Sequence, residues 1–267
     1  MIDGSTRVFA LLGDPVAHSL SPAMQNAAFR ALGLRAAYVA LRCAPDDVAP
    51  LIRALARAGG GGNITIPHKE LAALAVDRRL DDAGEVGACN VFWGENGVTR
   101  GGNTDVEGLL RALEPLEPAP GPWLIVGTGG GARAAAVAAA RCGARVAISS
   151  RSADRASAFE RWVAERGVAP ASPEECRLVI NATPLGLRGD DPLPITPDAV
   201  PEASAAFDMV YRSGETPWVR AMRVAGRRAA DGRGMLVAQG AGALRRWFPD
   251  VSPPTEIMRA AVDAALR

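Results

Sequence analysis

Short apolar runs alternate with helical stretches along both halves of the chain. Arg7–Leu12 reads as an apolar strand, followed by a polar loop and a helix over Pro22–Leu32. Ala37–Arg42 reads as a second strand, Asp46–Ala58 as an amphipathic helix, and Asn63–Ile66 as a third strand stopped by Pro67. This rhythm predicts an α/β layer built on a largely parallel sheet. A proline-rich stretch from Leu109 to Trp123 interrupts it, and the rhythm then restarts. Trp123–Val126, Arg145–Ser149, Leu178–Ala182 and Ala206–Val210 read as strands; Gly131–Arg141, Ala153–Arg166, Met235–Phe248 and Ile257–Leu266 read as helices. Pro184–Pro201 reads as loop, and no internal repeat is visible.

Composition narrows the picture. At 267 residues the chain has room for one large or two modest domains, and 48% hydrophobic residues is enough for a sizeable core. Thirty basic against 29 acidic residues leave a net charge of +1, without the cationic excess a nucleic-acid binder uses to displace counterions. Cys43, Cys89, Cys142 and Cys176 lie far apart with only His18 and His68 to join them, which is not metal-site spacing, so no metal is expected. Reduced thiols, no signal-peptide pattern and no membrane-length apolar run point to a cytoplasmic protein without a membrane partner.

The most legible local motif is Gly127-Thr128-Gly129-Gly130-Gly131-Ala132, placed between a strand and a helix. The first glycine permits a tight turn and the second lets backbone approach a pyrophosphate. A small third residue lets the helix pack on the sheet. The helix N-terminus then offers N–H groups and a positive dipole end to phosphates. The next strand ends in Ser150-Arg151-Ser152, with Arg155 one turn later, where NAD-binding domains usually carry an acid. Arginines there suit a 2′-phosphate, favouring NADP, although solvated charges opening a helix are the plain alternative.

In the first half, Ser19-Leu-Ser21-Pro22 places two hydroxyls at a helix start, where Ser21 is a natural N-cap and the pair could hold a carboxylate. In Asn63-Ile-Thr65-Ile-Pro-His-Lys69, alternation puts Asn63 and Thr65 on one strand face and Ile64 and Ile66 on the other. Lys69 then falls near a sheet edge, where open α/β sheets bind ligands. Asp105, in Asn103-Thr104-Asp105, could be a helix cap or a site residue.

Taken in order, these motifs resemble the shikimate dehydrogenase family across nearly the whole chain. Gly87-Ala-Cys-Asn90, Asn181-Ala-Thr183-Pro184, Asp208-Met209-Val210-Tyr211 and Gly234–Ala241 add to the match. The resemblance implies a reversible, NADP-dependent reduction of 3-dehydroshikimate to shikimate in aromatic amino acid (chorismate) biosynthesis. It implies Lys69 and Asp105 as the catalytic pair, and Ser19, Ser21, Thr65, Asn90, Tyr211 and Gln239 as substrate contacts. Met209 and Gly232 fall at the nicotinamide and Asp81 near a minor cofactor position, beside the glycine loop (127–132), Ser150, Arg151, Ser152 and Arg155. Gln25, Val91 and the absence of a proline in Tyr211–Thr216 depart from the family pattern. A relative acting on quinate with NAD or NADP, and a non-catalytic NADP-binding module, are the alternatives.

The expected architecture is α/β with two domains. An N-terminal α/β substrate domain spans 1–106, completed by helices returning at about 237–267. A Rossmann-type, doubly wound NADP-binding domain spans 107–236. The expected partner is a small molecule rather than nucleic acid, and a homodimer is left open.

Overall fold

The first apolar run becomes strand β1 (Arg7–Gly13), whose last five residues are buried. Helix α1 (Ser21–Ala31) returns the chain to strand β2 (Ala36–Arg42), and α2 (Val48–Arg57) carries it to β3 (Gly61–Ile64). There follow α3 (Lys69–Ala75), β4 (Arg78–Arg79), α4 (Ala83–Val86), β5 (Val91–Glu95), β6 (Val98–Gly102) and α5 (Asp105–Leu113). After the proline-rich stretch come β7 (Trp123–Val126), α6 (Gly130–Arg141), β8 (Val146–Ser149), α7 (Ala153–Ala164) and β9 (Leu178–Asn181). The chain ends with β10 (Ala205–Asp208), α8 (Pro217–Val224), β11 (Arg228–Ala230), α9 (Arg233–Trp247) and α10 (Thr255–Ala265). The computed structural model describes residues 2–267. They divide into a unit running to Gly108 and resumed at Leu236–Arg267, and a second unit of Leu109–Met235.

The first unit holds a six-stranded sheet in the order β2-β1-β3-β5-β6-β4. Its β2, β1 and β3 are parallel, but β5 runs antiparallel to both β3 and β6. The largely parallel sheet expected from the alternation is therefore mixed. The reversal comes from a hairpin whose turn is Asn96-Gly97, both at positive φ (52° and 76°). Asn-Gly is the residue pair that a tight hairpin turn with left-handed central residues favours.

Aromatic packing explains why the chain's end belongs to this unit. Phe9 of β1 and Phe29 of α1 meet Trp247 of α9 and the adjoining Phe248, with ring centroids 4.8–6.4 Å apart. The Trp247 indole donates to the Phe92 carbonyl (3.2 Å), satisfying its one polar atom in the core. Each such buried ring contributes roughly 1.5–3 kcal/mol relative to exposure, enough to anchor the terminal helices.

The second unit holds an all-parallel five-stranded sheet, β11-β10-β9-β7-β8. Strands β7, β9 and β10 are buried at every position, as expected where helices cover both faces. The chain leaves β7 toward β8, then returns to place β9 on the other side of β7. That reversal creates a switch point at the carboxyl ends of β7 and β9, the crevice where open α/β sheets bind ligands. Two elements unpredicted from the periodicity, α8 and β11, complete this side of the sheet.

Candidate functional site

Lys69 opens α3 shortly after Pro67, and Asp105 opens α5 directly after Asn103-Thr104. The fold brings them together: Lys69 Nζ lies 2.6 Å from Asp105 Oδ2, with the aspartate side chain 2% exposed and the lysine 19%. The carboxylate sits in the first turn of α5, where the helix dipole favours negative charge. Asn103 Oδ1 accepts from the Asp105 N–H (2.9 Å), and the Asn103 amide donates to the Ala88 carbonyl (2.9 Å). Asn103 is therefore the residue that shapes this helix start, leaving the Asp105 carboxylate available to Lys69.

Asn90 is the hub of the cluster. Its Oδ1 accepts from the Thr104 N–H (2.8 Å), which fixes the amide's orientation. Its Nδ2 then faces Asp105 Oδ1 (2.8 Å), Thr104 Oγ1 (3.0 Å) and Gln239 Oε1 (3.3 Å). Two N–H protons serve three acceptors, so the longest contact, to Gln239 on α9, is the one most readily exchanged for a ligand. Lys69, Asp105, Asn90 and Gln239 thus form one connected polar cluster with an amine at its open side. Thr104 and Asn103, which carry this geometry, were not singled out as site residues by the motif.

The neighbouring hydroxyls are arranged differently from the sequence expectation. Ser21 is the first residue of α1 rather than its N-cap; Leu20 holds that place and offers no side-chain cap. Ser19 Oγ instead accepts from the Ser21 N–H (3.2 Å). Burial holds the phenol of Tyr38 far above its ordinary pKa and so protonated, with the Ser21 hydroxyl close enough to act on it. That phenol donates to Asn63 Oδ1 (2.9 Å), and the Asn63 amide donates to the Asn90 carbonyl (3.0 Å). A hydrogen-bonded path therefore links Tyr38 through Asn63 to the backbone of the Asn90 hub.

Strand β3 ends at Ile64, one residue before Thr65. Ile66 accordingly does not share the buried face of Ile64: it is 60% exposed against 2%. Thr65 packs its methyl against Gly13 and turns the chain into His68. His68 is buried, with Nε2 2.9 Å from the Cys43 carbonyl, a contact only an N–H can make favourably. It is a strut beneath Lys69. Cys89 adjoins Asn90, but burial pushes its thiol up to about 12, which rules out a thiolate nucleophile. Among the described residues no group of His, Cys, Asp or Glu is placed to hold a metal.

In the second unit, Gly127 directly follows β7 at φ +117°, a conformation that favours glycine, and a Cβ there would crowd the Ala182 carbonyl (2.9 Å). Gly129 is the N-cap of α6, which has no side-chain cap, and a Cβ at Gly129 would meet nothing within 4 Å. Open space over bare helix-terminal N–H groups fits a pyrophosphate. Ala132 is fully buried under the helix, as the packing role of a small third residue requires. A Cβ at Gly131 would approach Met209 Sδ (2.9 Å), and one at Gly232 would collide with the Met209 carbonyl, so these three residues form one tight surface beside the glycine turn.

Arg151 and Arg155 are both exposed, and neither has an acidic partner among the described residues. Ser152 Oγ caps α7 by accepting from the Arg155 N–H (3.3 Å), and Ser150 Oγ accepts from the Ser152 N–H (3.4 Å). Both hydroxyls keep a proton to donate to a phosphate. Two assigned residues belong to the other unit from most of their group. Asp81, read as a minor cofactor position, belongs to the first unit and pairs with Arg246 Nε of α9 (2.6 Å). Tyr211, read as a substrate contact, belongs to the second unit.

Comparisons with known proteins agree along the whole chain. Residues 11–92 match the family model described as the shikimate dehydrogenase substrate binding domain. Residues 232–262 match the one described as the shikimate 5'-dehydrogenase C-terminal domain. The chain is 38% identical to a shikimate dehydrogenase (NADP(+)) of Acidiphilium cryptum, over 93% of this chain and 92% of that protein. It is 40% identical to one from Rubrobacter xylanophilus, over 98% and 97%. A crystal structure of shikimate 5-dehydrogenase from Thermus thermophilus, in complex with NADP(H) and shikimate, matches with a TM-score of 0.89 and 36% identity. That match covers 100% of both chains.

Proposed function

This chain belongs to the shikimate dehydrogenase family, and from that membership we propose that it catalyses the reversible, NADP-dependent reduction of 3-dehydroshikimate to shikimate. The observation that carries the reading is the Lys69–Asp105 pair, 2.6 Å apart and tied to Asn90 and Gln239 in one cluster.

Bound NADPH supplies the hydride. Its phosphates fit Gly127–Ala132 and the 2′-phosphate fits Ser150, Arg151, Ser152 and Arg155; Met209 and Gly232 are assigned to the nicotinamide. In the first unit, Ser19 and Ser21 hold the substrate carboxylate, and Thr65, Asn90 and Gln239 meet the ring oxygens; Tyr211 is the contact that the family motif assigns to the second unit. As the reacting carbonyl becomes an alkoxide, the Lys69 ammonium stabilises the growing charge and delivers the proton that completes the hydroxyl. Lys69 is left as an amine and regains its proton from water. Asp105 keeps the ammonium aimed at the reacting oxygen, and in the oxidation direction the pair accepts the hydroxyl proton.

The residues support NADP over NAD: two exposed guanidiniums without acidic partners follow β8, where a carboxylate would be needed to accept from a free 2′-hydroxyl. Four free cysteines, three of them buried, support a reducing cytoplasmic setting. No helix among the described residues is long and apolar enough to cross a membrane. The test is NADPH oxidation followed by absorbance with 3-dehydroshikimate, against 3-dehydroquinate and against NADH. Strong preference for 3-dehydroshikimate with NADPH is expected; preference for 3-dehydroquinate would contradict the reading.

A further inference from the structure

Asp208 ends β10 and is fully buried, yet it has no part in the chemistry above. Its Oδ1 accepts from the Asn181 amide (2.8 Å) and from the Val210 N–H (3.0 Å), while Oδ2 accepts from the Thr216 hydroxyl (2.7 Å). Each donor belongs to a different piece of chain. Asn181 ends β9 and in turn holds the next loop: its Oδ1 accepts from both Thr183 N–H (3.0 Å) and Thr183 Oγ1 (2.6 Å), and its amide also donates to the Leu185 carbonyl (3.0 Å). Val210 lies in the loop that carries Met209 and Tyr211. Thr216 is the N-cap of α8, accepting from the Val219 N–H (3.2 Å).

One carboxylate therefore ties together three segments at the carboxyl edge of the second sheet. Met209 is held from the other side as well, its N–H donating to the Asn181 carbonyl (3.0 Å) and its sulfur facing Gly131. All three Asp208 partners are donors, so the ionised acid satisfies each of them, whereas an amide in its place must present an N–H to at least one. Hydrogen bonds to a buried charge are stronger and more directional than neutral ones, which suits the group to fixing loops in place.

We propose that Asp208 is a positioning residue that sets the placement of Met209 and Tyr211 by clamping their loop to the Asn181–Leu185 turn and to the start of α8. Its link to catalysis rests on the functional reading given above; its effect on the loops does not. Two variants separate the clamp from general loosening. D208N keeps the shape but mismatches the donors, and T216V removes the bond to Oδ2 together with the α8 N-cap while leaving the Asn181 and Val210 bonds in place.

Hydrogen exchange of the ligand-free protein is measured first. In D208N the amides of 183–186 and 209–216 are expected to exchange about tenfold faster, as for loss of one charged hydrogen bond. In T216V only 209–219 accelerate, because the Asn181 bond survives. Titration then compares NADPH with 2′-phospho-ADP-ribose, which lacks nicotinamide. D208N weakens NADPH binding by about tenfold and leaves the truncated ligand within about twofold, a split that general loosening does not produce. Unchanged exchange in both loops, or equal weakening of both ligands, overturns the proposal. Absence of 3-dehydroshikimate turnover in the unsubstituted protein, with the exchange result intact, would defeat the functional reading and leave the clamp standing.

Discussion

The two units each bury an aspartate in a hydrogen-bonded cluster, and the two are built for different work. Asp105 stands at a helix start with a lysine against one oxygen and an asparagine amide against the other. Asp208 stands at a strand end with three neutral donors and no cation among them. Beside Asp105 the charge is balanced and one partner, Lys69, reaches partly exposed space, so the cluster can exchange a proton with a ligand. Around Asp208 every donor is buried or part-buried in the protein, so burial dominates: it raises that carboxyl to about 6, against the three hydrogen bonds that pull it down and with help from the charge of Asp231. A paired acid is a reagent and an unpaired buried acid is a clamp.

The comparison breaks most visibly at Asp105. Asp105→Asn keeps the shape but removes the charge that orients Lys69, and we expect turnover to fall by about 10²–10³ in initial-rate assays, the range for losing a positioned acid–base partner. The same exchange at Asp208 acts on cofactor binding far more than on the chemical step. If both substitutions lowered turnover equally with cofactor binding intact, the distinction would be lost.

Within the second unit, the exposed arginines test a purely electrostatic contribution. Replacing Arg151 and Arg155 together with alanine should raise the KM for NADPH by about 10- to 100-fold, as for loss of charge-assisted phosphate bonds, and leave that for NADH nearly unchanged. Equal loss for both cofactors would mean that the pair supports the fold instead.

The smallest effect is on stability. The Asp208 carboxyl is raised from an ordinary value near 4 to about 6 in the folded protein. The native state therefore binds its proton more tightly than the unfolded chain does. This contribution is complete below about pH 4, is lost as pH rises toward 6, and over two pH units amounts to roughly 3 kcal/mol at most. Asp231, held by Arg233 (2.9 Å), is the charged neighbour facing it. Denaturant midpoints should show the unsubstituted protein gaining on D208N between pH 7 and pH 4.5; a pH-independent difference would contradict the raised value.

Much of this was legible from residues alone, for identifiable reasons. A fully apolar strand followed by Gly127-Thr-Gly129 has few other physical uses, and the turn geometry and open space at Gly129 follow from it. Lys69 and Asp105 were ambiguous singly, since either could be a solvated charge or a helix cap, and became informative only as parts of an ordered set of motifs. The β5–β6 hairpin carried its own Asn96-Gly97 signal, masked by the βα rhythm on either side. Ser21 resembles a cap because Pro22 follows it, but the backbone starts the helix one residue earlier, so its hydroxyl does not cap. Asn181 and Asp208 each stand in a matched motif, but nothing in either motif joins them to one another or to Thr216: the clamp is made by the order of strands in the sheet.

The most direct test of the central assignment is Lys69→Met, measured for turnover of 3-dehydroshikimate and, separately, for NADPH binding by fluorescence titration. A methionine keeps most of the length of the side chain and removes the proton and the charge. The predicted result is a fall in kcat of at least about 10³, with NADPH affinity within about twofold of the unsubstituted protein. Turnover within about tenfold of normal, with 3-dehydroshikimate still reduced, would show that the proton comes from elsewhere.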